Sequence, residues 1–501
     1  MNFLIFKGTF LVRRFLNLAA VVLLFCTTLV VAAAVQPAAL DFVGLYKVGD
    51  IDPNLTGKGL SIGLICRSDT YVDSRPQNDY RPDVSHKCFE GLKVNFYDDQ
   101  SGKPGTSSHS TAIASILAGF DANAFYQPLG NFSYKAAVPD VELNVYEFWH
   151  FITDYVFPGR WPKEDLLTMS LGWSCEAWWT RGIDNMAEDF GLLVIASIGN
   201  GKDSYDLPLY PAAGANVLAV GVVDSNGSLA DFGVPDANRS TAGPTLDGRC
   251  KPDIVAPGNC LVAVAGTQGL YRPSGDYSSF AAPLAAGIAS ILIQKAKQEP
   301  DLQFAASPFA GNCVIKSILM TSAKKLTGWH KGYPDSNDDY EYPLDFRQGA
   351  GLVDGLAAYN TLTAGMHRDG DVNTAGWDIN IIEPNYIVEK VYRFQTDGTA
   401  KSRLTATLVW NRIYENHYPF NLQLSLFSNL QLQLWTIDSA GRSKLVDYSD
   451  SPVDNIEHIY VPLDPNAAYE LVVSYSLGSQ LPDSFTSYGL SWQVAGENSE
   501  K

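Results

Sequence analysis

Ser278-Ser279-Phe280-Ala281-Ala282-Pro283-Leu284-Ala285-Ala286-Gly287-Ile288-Ala289-Ser290-Ile291-Leu292-Ile293 is apolar or small on almost every side of a helix, and the first long polar side chain in the run is Gln294. A helix at a protein surface keeps one polar face, so a helix without one is buried. Ala281–Lys297 therefore reads as the core helix of a large layered domain. Around it, from about Gly57 to Asn360, apolar runs of strand length recur at Leu60–Ile65, Val141–Phe148, Leu166–Leu171, Leu192–Ser197 and Val217–Val223. Helical patterns at Ser110–Ala118, Glu176–Asp189 and Val314–Lys324 fall between or after them. Strands apolar on both faces, alternating with helices, indicate a parallel sheet in an α/β domain.

The pattern changes after about Thr363. Arg403–Trp410, Asn421–Ser425, Leu430–Ile437, His458–Leu463, Tyr469–Tyr475 and Tyr488–Val494 read as strands with no strong helix between them. Leu430, Leu432 and Leu434 alternate with Gln431 and Gln433, the signature of a half-buried strand. This region predicts an all-β sandwich or jelly roll, giving domains at 35–363 and 364–501.

With 46% apolar and 18% charged residues, the 501-residue chain has a globular composition. Its formal charge of −18 argues against a nucleic-acid binder, which needs a basic surface. Lys7, Arg13 and Arg14 precede an apolar run, Phe15–Ala34, that ends in Ala32-Ala33-Ala34. A basic start, an apolar stretch and small residues at its end describe a secretory signal peptide over 1–34. An uncleaved membrane anchor is the alternative, because the run approaches spanning length. The expected location is secreted or periplasmic, with no stable membrane span after cleavage and no later segment long and apolar enough to cross a bilayer. Six Cys then remain: Cys66, Cys88, Cys175, Cys250, Cys260 and Cys313. An even count in an exported chain suits disulfides, with Cys250–Cys260 and Cys66–Cys88 as candidate pairs, and buried free thiols are the alternative. No C-x-x-C pair points to zinc, and no metal site is predicted. The acidic stretch Asp335-Ser336-Asn337-Asp338-Asp339 reads as a surface loop, and a structural calcium there is the one cofactor the sequence leaves open.

Three segments carry chemistry. His109 stands ahead of a small-residue helix, Asn200 ends the buried strand Val194–Ser197, and Ser279 precedes Ala-Ala-Pro and the core helix. Each alone has a structural reading: a packed His, a turn-forming Asn, a capping Ser. Together and in this order they resemble the subtilisin-like serine proteases. Ser170-Leu171-Gly172, Tyr210-Pro211-Ala212, the run Gly248–Gly258 and Gly349-Ala350-Gly351-Leu352-Val353-Asp354 extend the resemblance over roughly 45–360. The resemblance implies a subtilisin-like parallel sheet flanked by helices. It also implies that Ser279 attacks a peptide carbonyl, that His109 moves the proton, and that Asn200 helps to bind the oxyanion. Ser170, Leu171 and Gly172 would pair with an extended substrate. The C-terminal region resembles the β-sandwich that follows the protease domain in some bacterial relatives, through Ala406–Trp410 and Asp454–Ile459. Asn429 and Gln431 stand there where relatives carry acidic residues, which weakens any calcium site.

The sequence also departs from that family. Where the family has its third catalytic residue, an Asp at the end of the first strand, this chain has Cys66 in Gly57-Lys58-Gly59-Leu60-Ser61-Ile62-Gly63-Leu64-Ile65-Cys66. Asp69 comes three residues later, roughly 10 Å away if the chain stays extended, so only a sharp turn brings it back to His109. A thiol with a reference pKa of about 8.5 is neutral at pH 7 and a poor substitute for a carboxylate. Loss of such an Asp costs about 10⁴-fold in kcat while leaving residual catalysis. Ser110 replaces the Gly after the His, and Tyr277 the Gly two places before the Ser. Either position could need a backbone that a Cβ disfavours, and Tyr277 could crowd the cleft. Val35–Thr56 is too short for the folded inhibitory segment that the resemblance implies. The expectations are therefore a serine endopeptidase of reduced activity acting on a protein or peptide, or an inactive fold that binds peptides or surfaces. Oligomeric state is not legible.

Overall fold

The computed structural model describes residues 34–201, 207–334, 340–386, 389–398, 401–438 and 440–496. The segment 1–34 expected to be a signal peptide and the acidic stretch 335–339 lie outside these residues, apart from Ala34. Residues 35–501 form one compact unit.

Its centre is a seven-stranded parallel sheet of β1 (Ser61–Cys66), β2 (Val94–Tyr97), β3 (Glu142–Glu147), β4 (Leu166–Met169), β5 (Leu193–Ser197), β6 (Leu218–Val223) and β7 (Ile254–Pro257), ordered β7-β6-β5-β4-β1-β3-β2. The inner strands β4, β5 and β6 are buried at every residue, as their unbroken apolar runs require. Helices α1 (Ser108–Ala118), α2 (Trp178–Asp189), α3 (Ser278–Gln298) and α4 (Gly311–Thr321) flank the sheet, the predicted α/β arrangement. Strand and helix ends differ from the sequence reading by a few residues. The hairpin Phe120–Tyr126 with Gly130–Lys135 went unread because its apolar and polar residues follow no clear period.

α3 is long and apolar enough by composition to cross a membrane, which corrects the expectation that no later segment is. Most of it is buried in the protein core, where its Ala and Gly residues let strands and helices pack closely around it.

The C-terminal region is a sandwich of two sheets. One holds Gly370–Asp371, Glu389–Gln395, Ala468–Tyr475, Leu430–Ile437 and Ser443–Ser449; the other holds Ala375–Ile382, Thr486–Gly496, Ser402–Trp410 and Ile456–Leu463. Asn421–Ser425 is not a strand. It forms an isolated bridge at Leu422 and runs into the 3-10 turn Leu424–Leu426.

The four-stranded sheet is buried on both faces. Along Ser402–Trp410, Leu404, Ala406, Leu408 and Trp410 fill the sandwich core. On the other side Val409, with Trp377, Ile379 and Ile456, joins the core of the α/β part. Gly489 explains the close approach: a Cβ there would lie 2.5 Å from the backbone of Cys313 and Val314 in α4. Thr321 Oγ1 seals the contact by donating to Thr407 Oγ1 at 2.8 Å.

Candidate active site

The site lies at the C-terminal ends of the parallel strands, where ligands bind in open α/β sheets. His109 is in the first turn of α1, whose N-cap Ser107 accepts the Ser110 N–H. Ser279 is the second residue of α3. Asn200 follows β5 between Gly199 and Gly201, both at positive φ.

Asn200 and Ser279 are linked through Ser278. Asn200 Oδ1 accepts from the Ser278 N–H at 2.9 Å and from Ser278 Oγ at 3.0 Å. The N-cap of α3, Tyr277, makes no side-chain cap, so an amide from another strand satisfies one of the helix's orphan donors. Two donors on Oδ1 fix the orientation of the amide. Its Nδ2 is left without a partner among the described residues. Ser278 Oγ also accepts the Gly199 N–H at 3.2 Å, tying the strand end to the helix start.

Pro283 lies inside α3. A helical N–H at 283 would bond the carbonyl of 279, and proline has none to give. Ser170 Oγ donates to that carbonyl instead, at 2.7 Å. Ser170 thus joins the 170–172 segment to the backbone of Ser279. Trp173 and Tyr210 exchange backbone bonds at 2.9 and 2.8 Å just beyond it. Among the described residues, the N–H groups of Leu171 and Gly172 make no hydrogen bond.

Ile65, Cys66, Arg67, Ser68, Asp69, Ser107, His109, Ile113, Ser170 and Leu171 line one cleft of about 230 Å³. The structure thus places His109, Cys66, Ser170 and Leu171 on one cleft; Ser279, Asn200 and Gly172 are not among its lining residues, and Ser279 is tied to the cleft wall through its backbone carbonyl by Ser170. Tyr277 does not line it. The Tyr277 backbone is extended, with φ −130° and ψ 137°, so the position requires no glycine. Its ring folds over Gly275 and under the Arg239 guanidinium, 5.8 Å away.

The rings of His109 and Phe280 stand 6.0 Å apart. Neither imidazole nitrogen of His109 makes a hydrogen bond among the described residues. His109 keeps an exposed surface, yet the dense packing on its other side lowers its pKa by desolvation; the charge of Asp69 acts in the opposite direction. Cys66 is 3% exposed. Burial, foremost, pushes its thiol up to about 12, with the hydrogen bond to the Ser110 side chain pulling the other way. The two departures at 66 and 110 therefore meet: a buried neutral thiol pairs with a buried hydroxyl. Sequence reading treated them separately because their contact spans two elements.

All six described cysteines are free, which overturns both expected disulfides. Each thiol of the two expected pairs has another neighbour. Cys66 meets Ser110, Cys88 Sγ lies 3.2 Å from His86 Nδ1, Cys250 Sγ donates to the Leu344 carbonyl at 3.6 Å, and Cys260 Sγ accepts from Ser274 Oγ at 3.8 Å. Gln431 Nε2 donates to Ser474 Oγ and the Tyr475 carbonyl. Among the described residues no group of three or more His, Cys, Asp or Glu side chains is placed to hold a metal ion.

A buried helix whose N-terminus carries Ser279, set against a parallel sheet with Cys66 and Asn200 at or just past its strand ends, defines an α/β domain with its candidate residues on one edge of the sheet. The chain belongs to the subtilase family: the peptidase S8 family model matches residues 50–351. It is 26% identical over 283 residues to the serine protease AprX of Bacillus subtilis, covering 50% of this chain and 59% of AprX. It is 28% identical over 273 residues to a thermophilic serine proteinase of Bacillus sp. strain AK1, covering 54% of this chain and 59% of that protein. The chain thus spans somewhat over half the length of each relative. The solved structure of the patellamide maturation protease PatG aligns over 63% of this chain and 95% of its own, at 17% identity and TM-score 0.42.

Proposed function

We propose that the protein is an exported serine endopeptidase of reduced activity, with a protein or peptide as substrate. The observation that carries this reading is the Asn200 amide, pinned through Oδ1 by Ser278. Its N–H groups are then free to meet an oxyanion formed at Ser279. In this reading an extended substrate pairs with the unbonded edge of Leu171 and Gly172. Ser279 Oγ attacks the carbonyl carbon, its proton passes to His109, and Asn200 Nδ2 and the Ser279 N–H receive the developing charge. His109 then protonates the leaving amine, and water repeats the sequence to free the acid. The lowered His109 pKa keeps the ring neutral, as a base must be. A neutral Cys66 cannot hold the imidazolium as a carboxylate does, which accounts for the reduction.

A fluorophosphonate probe tests this without knowledge of the substrate. Labelling of Ser279, absent in Ser279→Ala and slowed about 10²–10³-fold in Asn200→Ala, supports the reading. No labelling of the wild-type chain rejects it. The buried neutral thiol at 66 favours a second reading, a peptide-binding fold without turnover, which requires binding of unfolded peptide with no labelling.

A further inference from the structure

The chain beyond β1 does not stay extended. Ser68 Oγ donates to the Gln77 carbonyl at 2.7 Å, and the Gln77 N–H bonds Thr70 O at 3.1 Å. The Asp79 carboxylate accepts the N–H groups of Asp69 and Thr70 at 3.1 and 3.3 Å and Thr70 Oγ1 at 2.6 Å. These bonds fold the loop back on itself and set Asp69 in the lining of the cleft that holds His109.

The other charges around this cleft are engaged elsewhere. Buried Glu147, opposite Cys66 on β3, accepts the His150 N–H at 3.0 Å and faces Ser68 Oγ at 3.4 Å. Asp79 holds the loop. The Arg67 guanidinium lies over the Trp173 ring, 5.5 Å from its centroid. The Asp69 carboxylate has neither a hydrogen bond nor an ion pair among the described residues, and it is exposed to solvent.

We propose that Asp69 is the carboxylate partner of His109, a positioning residue that supplies from the cleft wall the negative charge absent at Cys66. The proposal rests on the peptidase reading for its catalytic consequence, but not for the pairing itself. Asp69 is the charged neighbour that opposes the desolvation of the His109 ring. Because solvent reaches this carboxylate, it acts through water-screened attraction and is worth far less than a buried orienting Asp.

Site-resolved NMR titration of the His109 ring, assigned with His109→Gln, tests the pairing directly. In Asp69→Asn the His109 titration should move to lower pH, and the shift should shrink in about 1 M salt, where screening acts over about 3 Å. An unmoved titration overturns the proposal. On a peptide substrate, Asp69→Asn should lower kcat roughly fivefold with KM kept, and Asp69→Glu should recover part of the loss. A fall in KM-linked binding alone also overturns it. If the wild-type chain does not label with fluorophosphonate, the peptidase reading fails, while the titration still decides whether Asp69 and His109 are paired.

Discussion

Ser170 Oγ donates to the carbonyl of Ser279 at 2.7 Å, making the bond that Pro283 denies to the helix. The edge segment and the start of α3 are thereby held in register. Ser170→Ala should leave that carbonyl without its partner and cost about 1–3 kcal/mol, seen as a lower thermal midpoint and slower fluorophosphonate labelling. Pro283→Ala restores the helical N–H. In the double variant the Ser279 carbonyl regains a donor, so the two losses should not add in a double-mutant cycle. Strict additivity would show that the bond is not shared in this way.

Cys66→Asp should raise the peptidase rate, because an orienting carboxylate in this role is worth up to about 10⁴-fold. Here the gain should depend on pH. The new carboxyl would enter a buried place beside Glu147 and Asp69, whose charges already disfavour an anion at Cys66. It should therefore ionise above the usual range, with the gain appearing as pH rises. Tyr277→Gly should add nothing to it, since Tyr277 already has an extended backbone. A rate profile for the two variants from about pH 5 to about pH 9 checks both statements.

Asp454 accepts the Cys250 N–H at 2.9 Å and Ser451 Oγ at 3.0 Å, and burial, the largest influence, raises its pKa to about 6. The folded protein then holds a proton that the unfolded chain, with a value near 3.8, gives up sooner. Its contribution to stability is full below about 4 and is lost as pH rises through about 6. Asp454→Asn keeps an acceptor for Cys250 and removes the titration. Measured against wild type, its thermal midpoint should improve as pH rises from about 4 to about 7. A constant difference across that range would mean that the carboxyl titrates normally.

Gly489→Ala should lower the thermal midpoint of the whole chain in one transition. The added methyl would meet the Cys313–Val314 peptide at 2.5 Å, and backbone cannot step aside as a flexible side chain can. A cost of about 1–3 kcal/mol follows from such overpacking. Two separate transitions in calorimetry would show that the sandwich and the α/β part melt independently.

Much of the architecture was legible where burial was uniform over a long apolar run, though the short buried strand β7 and the buried strand Ala375–Ile382, interrupted by Asp378 and Asn380, were not. α3 and strands β4, β5 and β6 show in the sequence because no polar face interrupts them. Glu389–Gln395 and the edge strand Ser443–Ser449 did not, both being rich in charge and polarity. At the site, His109, Asn200 and Ser279 were found by order and resemblance, but the bonds that arrange them were not. Ser278 pins Asn200 from 78 residues away, and Ser110 meets Cys66 from another element. The need of the Ser279 carbonyl for a donor outside the helix was within reach, since a proline inside a helix has no N–H to give the carbonyl four residues before it. The expectation that Tyr277 needs a glycine backbone failed because a position's conformation is set by the turn around it, here an extended entry into α3.

The strand Ser402–Trp410 serves two cores at once, with alternate residues owed to different parts of the protein. Anyone grafting this sandwich onto another α/β domain would carry away a sheet with one face bare, since Val409, Trp377 and Ile456 are packed against a partner that stays behind. The converse holds for the donor, whose helix α4 would lose its roof. The seam is owed from both sides: Thr407 is tied to Thr321 by a hydrogen bond and Gly489 to the Cys313–Val314 peptide by close approach, so a change on one side must be met on the other.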